Sequence, residues 1–159
     1  MSEATLVRLL VFRVGNLICA AEVDAVREIL PRLPTTRIPG APPVVAGLVN
    51  VRGTLVTVVE GWRALGQPEP PAAQPDGAAG STVLLEVGEG RRLAGFTVDE
   101  VMDMLAVGPD TLEDRGGGGL AGVDPTLVRA VGRRGDDLFV VLDVAALLGP
   151  VLTTQGREQ

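Results

Sequence analysis

The chain has no histidine, no lysine and no tyrosine, and it holds a single cysteine. Each absence closes off a class of function. Without histidine, general acid–base chemistry and most catalytic triads lose their usual proton carrier. With no histidine and only Cys19, the common zinc sites cannot be assembled and no disulfide can close within the chain. Neither Asp136-Asp137 nor Asp99-Glu100-Asp103 has the spacing of a calcium loop, and both read as solvated acids near strand ends. No apolar stretch reaches the ~18 residues that span a bilayer, and Met1–Thr5 lacks the basic start of a signal peptide. The expectation is a cytoplasmic protein with no metal, no cofactor and no direct membrane insertion.

Aromatic residues are also scarce, at 3%, whereas hydrophobic residues as a whole reach 46% of the 159 residues. The core must therefore be filled by Val, Leu, Ile and Ala. Many of these are β-branched and stand between glycines and prolines, a pattern of many short strands. The net charge is −6, and all 14 cationic residues are arginine. An acidic chain repels phosphate backbones, and so few aromatics leave no stacking platform, which sets nucleic-acid binding aside. The pairs Arg91-Arg92 and Arg133-Arg134 are too short to form a basic tract and read as hairpin ends in water. Gly116–Gly119 lacks the Lys-Ser or Lys-Thr of a phosphate loop, and Gly88-Glu89-Gly90 carries an acid where a phosphate would sit. Cys19, inside Leu17-Ile18-Cys19-Ala20, reads as a small core residue, and no nucleophile–base pair can be named.

What is present is an internal repeat. Val23–Leu30 reads like Val98–Leu105 at an offset of 75, and Leu55–Gly66 reads like Leu138–Gly149 at an offset of 83. The order of the blocks is kept, and the surplus of 8 residues falls where Gly116–Gly119 looks like an inserted loop. Two similar halves follow, 6–66 and 83–149, joined by a Pro/Ala/Gly linker over 67–82 that is expected to be mobile, with a frayed tail over 153–159.

Each half opens on a hairpin: Leu9–Val14 returning as Leu17–Val23, and Val83–Val87 returning as Leu93–Val98. Asp24 and Asp99 then stand where a carboxylate can cap a short helical turn. A second hairpin follows in each half, Gly47–Val51 with Thr54–Val59, and Leu127–Val131 with Asp137–Leu142 around a turn at Gly132–Asp136. Short helices, Trp62–Leu65 and Val144–Leu148, are stopped by Gly66 and Gly149. Strands this short cannot bury two faces as a flat sheet, so each half is expected to curl into a small barrel and to pack on the other. In the first of the second hairpins, Asn50 and Arg52 stand alone among apolar residues. Either Asn50 satisfies the turn and Arg52 points into water, or Arg52 is held against a carboxylate, Glu28 being the candidate, to shape a contact surface.

On these residues the chain resembles the CheW family of chemotaxis coupling proteins, from Leu6 to Leu152. The family's Gly-x-x-Asn-x-Arg-Gly hairpin is matched by Gly47, Asn50, Arg52 and Gly53, followed by apolar Leu55, Val56, Val58 and Val59. Its Val-x-x-Val-x-Glu-Ile stretch is matched by Val23, Val26, Glu28 and Ile29, and its Val-Asp-x-Val by Val98, Asp99 and Val101. Phe139–Leu142 and Leu147-Leu148 match the closing strand and helix. Thr57 departs from a usual Pro, and Glu60-Gly61 from Asp-Leu.

The resemblance implies an all-β fold, over 1–152 a single CheW-like domain of two packed five-stranded SH3-like barrels with short helices and some exchange of strands. It implies no catalysis. The implied partners are the regulatory domain of a CheA-type histidine kinase and the cytoplasmic tip of a methyl-accepting chemoreceptor, assembled in a membrane-associated array. Glu28, Ile29, Leu48, Val51, Arg52 and Gly53 would form the receptor-facing surface. Gly47, Asn50, Val98, Asp99 and Val101 would be structural, and the kinase contacts stay unassigned. A CheW-like scaffold serving pilus motility, development or second-messenger control is the nearest alternative; a small-barrel nucleic-acid binder is the remote one.

Overall fold

In the computed structural model, residues 5–69, 80–114 and 122–157 are described. The first half supplies β1 (Val7–Val14), β2 (Leu17–Glu22), β3 (Val26–Pro31), β4 (Val45–Val51), β5 (Thr54–Val59) and the short helix α1 (Gly61–Ala64). The second supplies β6 (Ser81–Val87), β7 (Arg92–Val98), β8 (Glu100–Val107), β9 (Glu113–Asp114), β10 (Val128–Arg134), β11 (Asp137–Leu142) and α2 (Val144–Arg157). The strands form two sheets, β3-β6-β7-β5-β4 and β8-β1-β2-β11-β10, the latter extended by the two-residue β9.

The repeat explains this topology. Replacing each strand by its counterpart in the other half turns one sheet order into the other, and the parallel pairs β2·β11 and β5·β7 correspond. Neither sheet belongs to one half. The hairpin β1–β2 joins β8, β10 and β11, while β6–β7 joins β3, β4 and β5.

Alternation along the strands divides the apolar residues among three cores. Leu10, Phe12 and Val14 of β1 face the layer between the sheets, where Phe12 meets Phe96 at 6.1 Å between ring centroids. Leu9 and Val11 face the other way, into a cluster with Phe139 and Val141. On the second sheet, Val49, Val56, Val58 and Leu84 form the matching cluster, and Leu30 packs on it. Leu30 comes from one edge strand and Val49 from the other, so the sheet is curled with its edges brought together. The all-β architecture of packed, barrel-like sheets is thus as the sequence indicated, but each barrel takes strands from both halves where one barrel per half was expected.

Several local expectations need correction. Gly132 is no turn: β10 runs on to Arg134, and the turn is Gly135-Asp136. Gly132 lacks a side chain because a Cβ there would lie 2.5 Å from Phe139 Cζ. α2 does not stop at Gly149 but continues through Pro150 to Arg157. An interior Gly and Pro cost about 1 and 3 kcal/mol of helix propensity. Burying Leu147, Leu148 and Leu152 against the inter-sheet core offsets this at about 1.5–3 kcal/mol each.

Nor do Asp24 and Asp99 cap helical turns. Asp24 lies inside the 3-10 turn Val23–Ala25, which has no side-chain cap. Asp99 occupies a bend, and its carboxylate accepts the Gly15 N–H at 2.8 Å and pairs with Arg13 at 3.4 Å. The linker over 70–79 and the Gly116–Gly119 loop lie outside the described residues. Of the linker's flanks, Gln67 is buried and accepts the Asn16 N–H, and Ser81 opens β6.

Candidate functional site

β3 and β4 are the two edges of the five-stranded sheet, so any contact between them closes its seam. The hairpin β4–β5 turns on Arg52 and Gly53, whose φ values of 49° and 88° are the left-handed pair of a type I′ turn. Gly53 adopts that conformation freely; Arg52 does so at a cost. The Asn50 Oδ1 accepts the Gly53 N–H at 2.7 Å and fixes the turn. So held, Arg52 reaches across the seam to Glu28 on β3. Its Nη1 donates to Oε2 at 3.2 Å and its Nη2 to Oε1, a two-pronged pair. Asn50 thus serves the turn, as the first reading had it, and Arg52 is held against Glu28, as the second had it.

The pair is solvent-facing, with the Arg52 side chain 69% and that of Glu28 31% exposed. The Arg52 hydrogen bond above all holds the Glu28 carboxyl below its ordinary range against an opposing desolvation, with smaller help from the charges of Arg52 and Arg27. The same bond raises the Arg52 guanidinium.

The remaining residues fall on different faces. Glu28 pairs with Leu84, which is inside the barrel, whereas Ile29 pairs with Val83, which lies in the inter-sheet core. Ile29 thus stands 43% exposed at the margin of the layer between the sheets. Val51 packs into the barrel interior beside Val49. Leu48 is half-buried and bridges to Thr36, and Gly53 is exposed. Gly47 is buried, and a Cβ there would lie 2.3 Å from the Thr36 carbonyl oxygen, which is why the position has no side chain. Val98, Asp99 and Val101 build the passage from β7 into β8. Val98 is buried, Asp99 holds the β1–β2 turn, and Val101 pairs with Phe12.

The structure also brings forward residues that the motif did not single out. Asp103 on β8 pairs with Arg134 at the end of β10, at 3.6 Å, across the seam of the other sheet. Met104 and Leu138 are exposed at 60% and 45%, as Leu55 is at 65%. The repeat carries the signal for all of them. The offset of 75 takes Glu28 to Asp103 and Ile29 to Met104, and the offset of 83 takes Leu55 to Leu138. Only the arginine is displaced, to Arg134 from the Gly135 that the offset would give.

The departures Thr57 and Glu60-Gly61 have local causes. Thr57 is buried on a central strand between Leu48 and Ala94. The Gly61 N–H donates to the Thr97 Oγ1 at 2.9 Å, and a Cβ on Gly61 would lie 2.1 Å from the Thr97 carbonyl oxygen. Among the described residues there is no group of three or more Cys, Asp or Glu that could hold a metal. Cys19 is buried, and desolvation pushes its thiol far up. No helix among the described residues is long and apolar enough to cross a membrane.

Comparison with known proteins gives a consistent picture. A family model described as a CheW-like domain matches residues 8–150. The chemotaxis protein CheW of Rhizobium meliloti (strain 1021) is 35% identical over 99 residues, 62% of this chain and 60% of that protein. A probable chemotaxis protein CheW of Rhizobium etli is 28% identical over 106 residues, 66% of this chain and 64% of that protein. The matched stretch thus spans less than two thirds of either relative. The crystal structure of scaffolding protein TtCheW from Thermoanaerobacter tengcongensis has the same fold. Its TM-score is 0.78 at 17% identity, covering 93% of this chain and 90% of that one.

Proposed function

This chain belongs to the CheW-like domain family, a family of non-catalytic scaffolds, and from that premise we propose that it couples chemoreceptors to a CheA-type histidine kinase. One partner is the kinase regulatory domain. The other is the cytoplasmic tip of a methyl-accepting chemoreceptor, and the three assemble in a membrane-associated array. The observation that carries the reading is the Glu28–Arg52 pair, locked across the seam by a strained turn, with Ile29 exposed beside the inter-sheet layer. An exposed ion pair contributes little to folding. A guanidinium held in one geometry instead presents a fixed charge and shape to a partner, which sets partner choice more than affinity. A receptor helix would lay an apolar stripe on Ile29, with Leu48 and Gly53 nearby, as helix-in-groove contacts do.

The adaptor does no chemistry. It biases the kinase only as far as its contacts differ between two kinase states. Modest single interfaces suffice, because linkage in an array raises effective concentration.

The test is calorimetric titration of the chain into the kinase regulatory domain and, separately, into a receptor-tip fragment, with Arg52→Glu alongside. Saturable binding of both proteins to the kinase domain, with receptor binding lost only in the variant, is expected. Absence of wild-type binding to every kinase regulatory domain of the same cell would overturn the coupling role.

A further inference from the structure

Beyond this coupling role, the arginines sort into two groups. Arg13, Arg27, Arg52, Arg91, Arg129 and Arg134 each have a carboxylate within 4.0 Å. In a chain of net charge −6 such pairing is what the excess of acid produces. Arg8, Arg32, Arg37, Arg63, Arg92 and Arg133 pair with no carboxylate of the described residues, and among these Arg37 and Arg63 stand together. Both line one cleft of about 430 Å³ between the segment before β4 and α1.

The cleft is built to keep its shape. Pro39, Pro42 and Pro43 form one wall, and their fixed φ values mean that little backbone freedom is lost on binding. The one acid in the lining, Glu60, accepts the Trp62 indole N–H at 3.1 Å and keeps its charge, so the two arginines leave the lining with a single positive charge in excess. Beyond the ridge of Pro42, Pro43 and Arg63 a second, more open hollow of about 560 Å³ begins, floored by Trp62. The Arg63 guanidinium lies 4.4 Å from the Trp62 ring centroid, so the cation and the apolar floor form one surface.

We propose that this double cleft docks an acidic, extended segment of a partner protein, its carboxylates meeting Arg37 and Arg63 and an apolar side chain resting on Trp62 and Pro43. Charge complementarity selects this occupant. The net charge of the chain repels a polyanion, so an acidic segment is drawn to a place where two unpaired cations line one cleft. Proline offers no N–H, so the wall cannot add a strand by backbone pairing, and recognition falls to side chains. The cleft is separate from the Glu28–Arg52 seam in its residues, and the proposal does not depend on the coupling role.

Trp62 is the chain's single tryptophan, which makes its fluorescence a reporter of this site alone. The probe is a synthetic nine-residue peptide of alternating Glu and Leu, with a Lys-for-Glu counterpart as control. A saturable change in Trp62 emission with the acidic peptide is expected, weakened at least tenfold by Arg37→Glu. Arg37→Glu leaves the Trp62 stacking partner in place, and circular dichroism checks its fold. Arg52→Glu should bind the peptide as the wild type does, which separates this site from the receptor-facing surface. No saturable response, an equal response in Arg37→Glu, or an equal response to the Lys peptide would overturn the proposal. So would a Trp62 change that tracks protein concentration without peptide, since that assigns the cleft to a second copy of the chain.

Discussion

Arg52 illustrates how a residue can matter without stabilising the fold. It holds a positive φ and spans a seam, yet it is mostly in water. Arg52→Gly should leave the denaturation midpoint unchanged or raise it slightly, since the left-handed turn then costs nothing, while receptor-tip binding falls; chemical denaturation and calorimetry check the two halves. The pair also sets a pH dependence. The folded Glu28 pKa is depressed below its ordinary value of 4.5, so the pair's contribution is full above that value and is lost as pH falls through the folded pKa. A carbon-detected titration of Glu28 should therefore give a midpoint below the ordinary one, returning towards it in Arg52→Gln. The turn was legible in the sequence, because a two-residue turn and its Asn50 bond are local. The Arg52–Glu28 pair stayed one of two open readings, because Glu28 stands on another strand. Gly132 was not legible, because its reason is Phe139, which arrives from the next strand and presses on it from above.

Among the elements, the strands were legible from alternation and turn residues, and the ends of the helices were not. The short α1 is fixed by its fit on β7 more than by propensity. Gly61→Leu, which restores the residue usual in the family, should destabilise the chain by about 1–3 kcal/mol through overpacking against Thr97 and Phe96. A thermal melt lowered by several degrees is the expected reading, where a change towards the family pattern ordinarily does the reverse. The passage from β7 to β8 depends on Asp99 in the same way. Asp99→Ala leaves the Gly15 N–H without its partner, while Arg13 keeps Glu100, and a loss of about 1–3 kcal/mol is expected by denaturant titration. The sequence marked Asp99 through the repeat, but its partner lies in the opposite half, where no local rule points. α2 outran its glycine for the same kind of reason: the core that receives Leu148 and Leu152 is assembled from both halves.

For the molecule as a whole, the repeat disclosed that there are two similar units, while the exchange of hairpins decided how they are made. Each sheet needs strands from both halves, and Phe12, Phe96, Val140 and Leu148 meet in one shared core. Differential scanning calorimetry should therefore show one transition with equal calorimetric and van 't Hoff enthalpies, and two separable transitions would contradict the shared core. The same exchange bears on how the chain is made. When β1 and β2 leave the ribosome they have each other but neither of their outer neighbours, β8 and β11. β11 ends at Leu142, some 120 residues after β2, a wait on the order of ten seconds at ordinary rates of synthesis. Throughout that interval the apolar run Leu9–Phe12 has no finished sheet to enter, so the nascent chain must be shielded from other chains until β11 has been made.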